Sequence, residues 1–111
     1  MSWHDVKWSS SEKKIARAAY DIAVAAALAS IMAELKRRAE AAKEPSDMWD
    51  IEDYLRDGRR NIDAMFTYSY SKLPDVFAYA IHMGYLGEAQ LAGLADDKLS
   101  IVQRMLSFLR N

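Results

Sequence analysis

The chain has no cysteine, which excludes disulfides, thiolate nucleophiles and sulfur-ligated metal sites and accords with a reducing, cytoplasmic setting. It has only two histidines, His4 and His82. They lie in separate segments, and neither has a second histidine or a carboxylate at ligand spacing, Asp5 merely adjoining the first, so no metal centre is expected. Net charge is nearly absent too: 15 basic residues against 16 acidic ones give nothing that would draw the molecule to a phosphate backbone or an anionic membrane. Long apolar runs are missing. The most apolar stretch, Ile22 to Ala33, is mostly alanine, is broken by Ser30, and falls short of the roughly 20 residues of a membrane span. Met1 to Trp8 carry His4, Asp5 and Lys7 where an export signal would have a charged start, an apolar middle and a cleavage site. No phosphate-cradling glycine loop exists, because Gly84 and Gly87 enclose only Tyr85-Leu86. Adjacent carboxylates at Glu52 and Asp53 diverge by about 100° on a helix and do not frame a scissile bond. The expectation is a chain with no catalytic residue, no cofactor and no metal, without nucleic-acid binding or membrane insertion.

Proline and glycine are scarce, two and four in 111 residues, and their positions punctuate long helices. Ser9 and Glu12 stand at capping-box spacing, and neither Gly nor Pro follows until Pro45, which predicts a helix of about 30 residues. Its apolar positions form one row, Ile15, Ala19, Ile22, Ala26, Ala29 and Ala33, and a second, Ala25, Leu28, Met32, Leu35, Ala39 and Ala42, displaced by roughly 110°. Glu44-Pro45-Ser46-Asp47 reads as a break and restart, with Ser46 or Asp47 as cap. A second helix is expected from about Asp47 to about Ser71, with an apolar stripe of Met48, Ile51, Leu55, Gly58, Ile62 and Met65. Glycine inside a helix costs about 1 kcal/mol relative to alanine, so close approach of another helix is the reason to keep Gly58.

Leu73-Pro74-Asp75 starts a third, short helix carrying Val76, Phe77, Ala80 and Ile81 and ended by Gly84. Gly87 and Gly93 bracket a one- or two-turn helix around Glu88 to Leu91, and Asp96-Asp97 caps a last helix with Leu99, Val102, Leu106 and Leu109. The fold expected is all-α: a long two-helix hairpin stalk over residues 1–72 and a small helical head over 73–111, acting as one unit. Phe66, Tyr68, Tyr70, Phe77, Tyr79 and Tyr85 fall at the junction and read as core packing. Each long helix has a wider apolar belt than a single hairpin contact uses, so a homodimer with a four-helix stalk is the economical arrangement. The head has too few basic residues, Lys98, Arg104 and Arg110, for a DNA reader.

One large side chain escapes this packing logic. Trp49 projects from the polar side of the second helix with Asp53, Arg56 and Arg60, opposite the apolar stripe. Tryptophan and arginine dominate protein–protein interfaces because each offers much contact area for little added entropy loss. Glu52 with Arg56 makes an i,i+4 ion pair of the kind any solvated helix carries, and it is the tryptophan that turns this face into a candidate binding surface.

Asp47-Met48-Trp49, Asp53-Tyr54-Leu55, Arg59, Ile62-Asp63 and Phe66-Thr67-Tyr68-Ser69-Tyr70-Ser71, followed by Val76-Phe77-Ala78, Gly84-Tyr85-Leu86 and Leu91 through Leu99, resemble the Fluorescence Recovery Protein family. The resemblance covers about half the chain. It implies an all-helical protein whose stalk dimerises and whose dimer binds the light-activated Orange Carotenoid Protein, speeds its return to the resting state and ends phycobilisome quenching, without covalent chemistry. The family's functional tryptophan, aspartate and arginine fall on Trp49, Asp53 and Arg59, and Glu52, Arg56 and Arg60 surround them. An alternative keeps the scaffold and gives it a different, unknown protein partner, because Glu52, Met65 and Ser69 stand where the family tends to carry histidine, lysine and arginine.

Overall fold

The computed structural model describes residues 7–111, so His4 and Asp5, and most of the segment read for an export signal, lie outside it. The described residues form helices α1 (Ser10–Ala41), α2 (Pro45–Met65), α3 (Leu73–His82) and α4 (Asp96–Arg110), with a single 3-10 turn at Glu88–Leu91 and no strand. The molecule measures 55 × 25 × 21 Å along its principal axes.

Helix α1 starts where the capping box predicts: Glu12 N–H donates to Ser9 Oγ at 3.2 Å, and Ser9 N–H donates to Glu12 Oε1 at 2.9 Å. It runs for 32 residues until Pro45 forces Glu44 into extended backbone, ψ 151°. Pro45 then opens α2, where its missing N–H costs nothing. The cap of α2 is Glu44, and Asp47 accepts the N–H groups of Lys43 and Glu44 at 2.8 and 2.9 Å. Gly58 does what was expected of it, since a Cβ there would lie 3.2 Å from Ile31 Cδ1 of α1.

Helix α2 stops at Met65, six residues short of the predicted Ser71. Phe66 leaves the helix with φ −103° and ψ 96°, and its ring meets Tyr20 of α1 edge-on at 5.7 Å. Tyr68 does the same at 4.8 Å, under the Arg17 guanidinium at 4.7 Å. Burying two rings against α1 outweighs another turn and a half of helix in a segment whose Thr67, Ser69 and aromatics are indifferent helix formers. The chain turns at Ser69, whose carbonyl accepts Lys72 and Leu73 N–H at 2.8 and 2.9 Å, and α3 begins. It ends as expected at Gly84, φ +83°, with Tyr85 N–H returning to Ala80 O and Gly84 N–H to Ile81 O, a Schellman closure.

The core joins Ala16, Ala19 and Ala23 of α1 to Leu73, Phe77 and Ala80 of α3, Leu91 and Leu94 of the following turns, and Val102 and Leu106 of α4. The buried row of α1, Ala16, Ala19, Ala23 and Ala27, shares only Ala19 with the two rows read from the sequence. On an alanine-rich helix nearly every face is apolar. The face that packs is the one small enough to admit Phe77 and Leu73, while the bulkier Ile22, Leu28 and Met32 stay 43%, 49% and 55% exposed. By length and composition α1 also meets the requirement for a membrane span, with mean hydropathy 1.6 over 18 residues, although its alanine row belongs to this protein core. Helix α2 buries no residue at all, and Met48 and Leu55 are 55% and 36% exposed.

One carboxylate joins the two ends of the chain. Besides closing α1, Glu12 accepts at Oε2 the N–H of Ala95, the cap residue of α4, at 2.9 Å. Asp96 and Asp97, expected to cap α4, instead occupy its first turn, and Ala95 precedes them. Lys98 Nζ lies 3.1 Å from both Glu12 oxygens and 3.3 Å from Asp97 Oδ1, donates to the Lys7 carbonyl, and sits 5.5 Å from the Trp8 ring centre. The Glu12 and Lys98 side chains are 8% and 4% exposed. The backbone N–H of Ser9, then that of Ala95, then Lys98 hold the Glu12 carboxyl at about 2 against the pull of burial, well below its ordinary 4.5.

A folded-state pKa of about 2 against 4.5 unfolded means that the native chain binds fewer protons between those values, so the stabilisation is present above pH 4.5 and is lost as pH falls toward 2. It amounts to about 3 kcal/mol. Thermal melts of Glu12→Gln should therefore lie below the wild type at neutral pH by about 3 kcal/mol, because Lys98 loses its buried partner, and the gap should narrow below pH 4.5. At Gly93, φ +101° and a Cβ that would fall 2.6 Å from Ile15 Cδ1 make Gly93→Ala costly, and urea melts should register a loss of about 2 kcal/mol or more.

Candidate functional site

Helix α2 meets α1 through Ile51, Tyr54, Gly58 and Ile62, all half-buried, and turns its other side to solvent. At roughly 100° per residue, Trp49, Asp53, Arg56 and Arg60 fall within about 60° of one another on that outer side, and Glu52 borders them. Arg59 stands roughly 80° from Trp49, between the charged face and the exposed Met48 and Leu55. The helix brings all six predicted residues onto one continuous surface, with Arg59 at its apolar margin.

Trp49 is 61% exposed, an unusual state for the largest apolar side chain. Arg56 Nη2 is held between two carboxylates, 2.6 Å from Asp53 Oδ1 and 3.4 Å from Glu52 Oε1. Arg60 lies 3.9 Å from Asp57 Oδ1, a loose pairing, and Arg59 has no ion-pair partner among the described residues. These side chains are more than half exposed, so their pairs contribute about 0 to 1 kcal/mol each and leave the charges available to another molecule. Among the described residues no group of three or more His, Asp or Glu is spaced to hold a metal ion. The arrangement suits recognition by a flat, mixed surface: an aromatic anchor, a braced arginine, an unbraced arginine and an apolar edge.

Sequence reasoning missed two features. The Glu12–Lys98 contact is one, although it left a trace: Leu94, Lys98, Val102 and Leu106 form an i,i+4 row in which the lysine takes a buried position, and Glu12 heads the row of Ala16, Ala19 and Ala23. The other is a groove of about 750 Å³ bounded by α1, α2 and α3, with Asp75 in its lining. Its walls come from three separate segments, and no local pattern predicts their convergence.

Comparison with known proteins gives this geometry a context. The Fluorescence recovery protein of Synechocystis sp. is 27% identical over 101 residues, spanning 91% of this chain and 93% of that protein. The solved Fluorescence Recovery Protein of Fremyella diplosiphon is 31% identical and superposes with a TM-score of 0.83, covering 89% of this chain and 97% of its own. The solved Synechocystis protein gives 0.85 at 27% identity, with 91% and 99% covered. A profile of the photoprotection regulator fluorescence recovery protein family matches residues 8–106, from the cap of α1 to near the end of α4, and the chain belongs to that family.

Proposed function

We propose that this chain is a non-catalytic, cytoplasmic homodimer that binds the photoactivated Orange Carotenoid Protein, accelerates its return to the resting form and so ends phycobilisome quenching. Trp49, Asp53 and Arg59 make the contact, with Glu52, Arg56 and Arg60 around them. The observation that carries this reading is a 61% exposed tryptophan on a helix with no fully buried residue, in a chain of a photoprotection-regulator family. No chemistry is required of such a surface. A partner bound more tightly in the transition toward its resting conformer than in its activated one relaxes faster, and the binder is unchanged at the end.

Self-association answers the uncovered apolar side chains. Leu28 and Met32 on α1 and Met48 and Leu55 on α2 are between 36% and 55% exposed. An isologous four-helix contact over residues 1–72 would bury them and present two copies of the Trp49 face, leaving residues 73–111 as a small head on each protomer.

Replacing both Leu28 and Met32 by glutamate should shift sedimentation from dimer to monomer while helicity by circular dichroism persists. An unchanged sedimentation coefficient would rule this face out of the interface. Trp49→Ala should lower affinity for the photoactivated carotenoid protein by roughly 30-fold or more and slow the red-to-orange recovery in darkness, with dimerisation intact. Equal recovery rates for the two proteins would move the contact elsewhere, and collapse of the dimer would make the tryptophan structural.

A further inference from the structure

Positive charge concentrates around the start of α1. Residues 7–21 and 66–71 together carry four cations and two acids, whereas the rest of the chain carries eleven and fourteen. The two segments lie against each other: Phe66 and Tyr68 pack on Tyr20, and the Trp8 and Tyr70 rings meet at 5.5 Å. With a Tyr68–Tyr70 step of 5.8 Å, the rings of Trp8, Tyr70, Tyr68 and Tyr20 form one continuous row. Lys13 Nζ stands 5.4 Å over the Tyr70 ring and the Arg17 guanidinium 4.7 Å over Tyr68. Two cations one turn apart on α1 are thus held in place on aromatic surfaces.

Little in the chain neutralises them. Glu12 is buried and engaged by Lys98, and of the two acids that open α4, Asp97 lies 3.3 Å from the same ammonium. Asp21 reaches Arg17 Nε by one contact of 3.5 Å in which both side chains are more than half exposed, so a better acceptor displaces it readily. Lys13 and Lys14 also stand in the first turns of α1, at the positive end of the helix dipole, where a cation is locally unfavourable. Helix stability therefore does not account for the cluster.

Lys13 and Arg17 are about 6 Å apart along α1, close to the spacing of alternate residues on an extended strand. Arg17, stacked by one face, keeps N–H groups at its edge for a carboxylate. A nucleic acid fits less well, because one face of each of Tyr68 and Tyr70 lies under a cation and neighbouring rings crowd the rest, leaving no platform for a base. A second copy also fits less well. A twofold contact centred here would set the cations against themselves, and the chain's own helical acids Glu34, Glu52, Asp53 and Asp57 are already paired with arginines beside them. The exposed Leu28 and Met32, suited to self-association, begin roughly 16 Å further along α1. We infer that the surface of Lys13, Arg17 and Tyr70 is a second docking site, which receives from a protein partner an extended acidic segment with carboxylates on alternate residues. The inference does not depend on which partner the Trp49 face binds.

The test titrates the full chain, labelled with nitrogen-15, in low-salt buffer with two synthetic peptides by NMR: a glycine-serine peptide with glutamate at alternate positions, and the same peptide with glutamine there. The glutamate peptide should perturb the amides of Lys13, Arg17 and Tyr70 and bind about tenfold or more tightly than the glutamine peptide. Arg17→Gln should weaken it by about tenfold, and Tyr70→Leu, which removes the ring under Lys13, by roughly threefold. Arg110→Gln, which removes the same charge from the end of α4, and Trp49→Ala should leave it unchanged. Absence of binding, equal binding of the two peptides, or equal losses from Arg17→Gln and Arg110→Gln overturns the proposal. So does an oligothymidylate that binds more tightly than the glutamate peptide, which would make the surface a nucleic-acid site. A raised dimer dissociation constant in Arg17→Gln overturns it as well, since that is the result expected if a second copy occupies the surface.

Discussion

The Glu12 carboxylate is the constraint on which the tertiary arrangement turns. Helices α1 and α4 both begin beside it, and it accepts the cap N–H of each at 2.9 Å, so a single anion sits at two positive helix ends. Lys98 neutralises it from within α4. An ion pair this buried adds little net stability over an apolar pair of equal volume, because desolvation consumes the Coulomb gain. Its value is in exclusion: the start of α4 cannot slide or rotate against α1 without stranding a charge, which fixes the register in which α4 brings Val102 and Leu106 into the shared core.

Stability is unevenly divided along the chain in consequence. The buried residues gather where the first half of α1 meets α3 and α4, and α2 contributes none of them. Helix α2 holds its place through a tight turn fixed by Asp47, a close approach at Gly58, and the aromatic contacts of Phe66 and Tyr68 just beyond its end. Its outer face is then free of packing duties. Trp49, Asp53 and the arginines can change with little effect on the fold, because little of its stability passes through them.

Punctuation made much of this legible in the sequence. The capping box at Ser9, the restart at Pro45, the stop at Gly84 and the short turn before Gly93 are each set by a local steric rule, and each appears where the rule puts it. The surface at Trp49 was legible for a similar reason, since helical periodicity alone decides which residues share a face. What failed was whatever depends on partners distant in sequence. The buried side of α1 was misread because alanine looks alike on every face and only Phe77 and Leu73 select one. The end of α2 was overextended because Tyr20, some 46 residues before Phe66, competes for the aromatic rings. The cap of α4 was assigned to its own aspartates because the carboxylate that reaches it lies 83 residues away in sequence.

Helix α2 is also a spacer of fixed length. Trp49 lies near its first turn and Ile62 of the groove near its last, and at about 1.5 Å per residue the two are separated by roughly 20 Å along a stiff rod. A protein that touches both ends of such a rod must offer two contacts at that separation. One whose domains drift apart in one state and close in another would satisfy the spacing in only one of them. Were one end held, the second contact would form at high effective concentration, and the fixed length of α2 would restrict that engagement to surfaces about 20 Å apart.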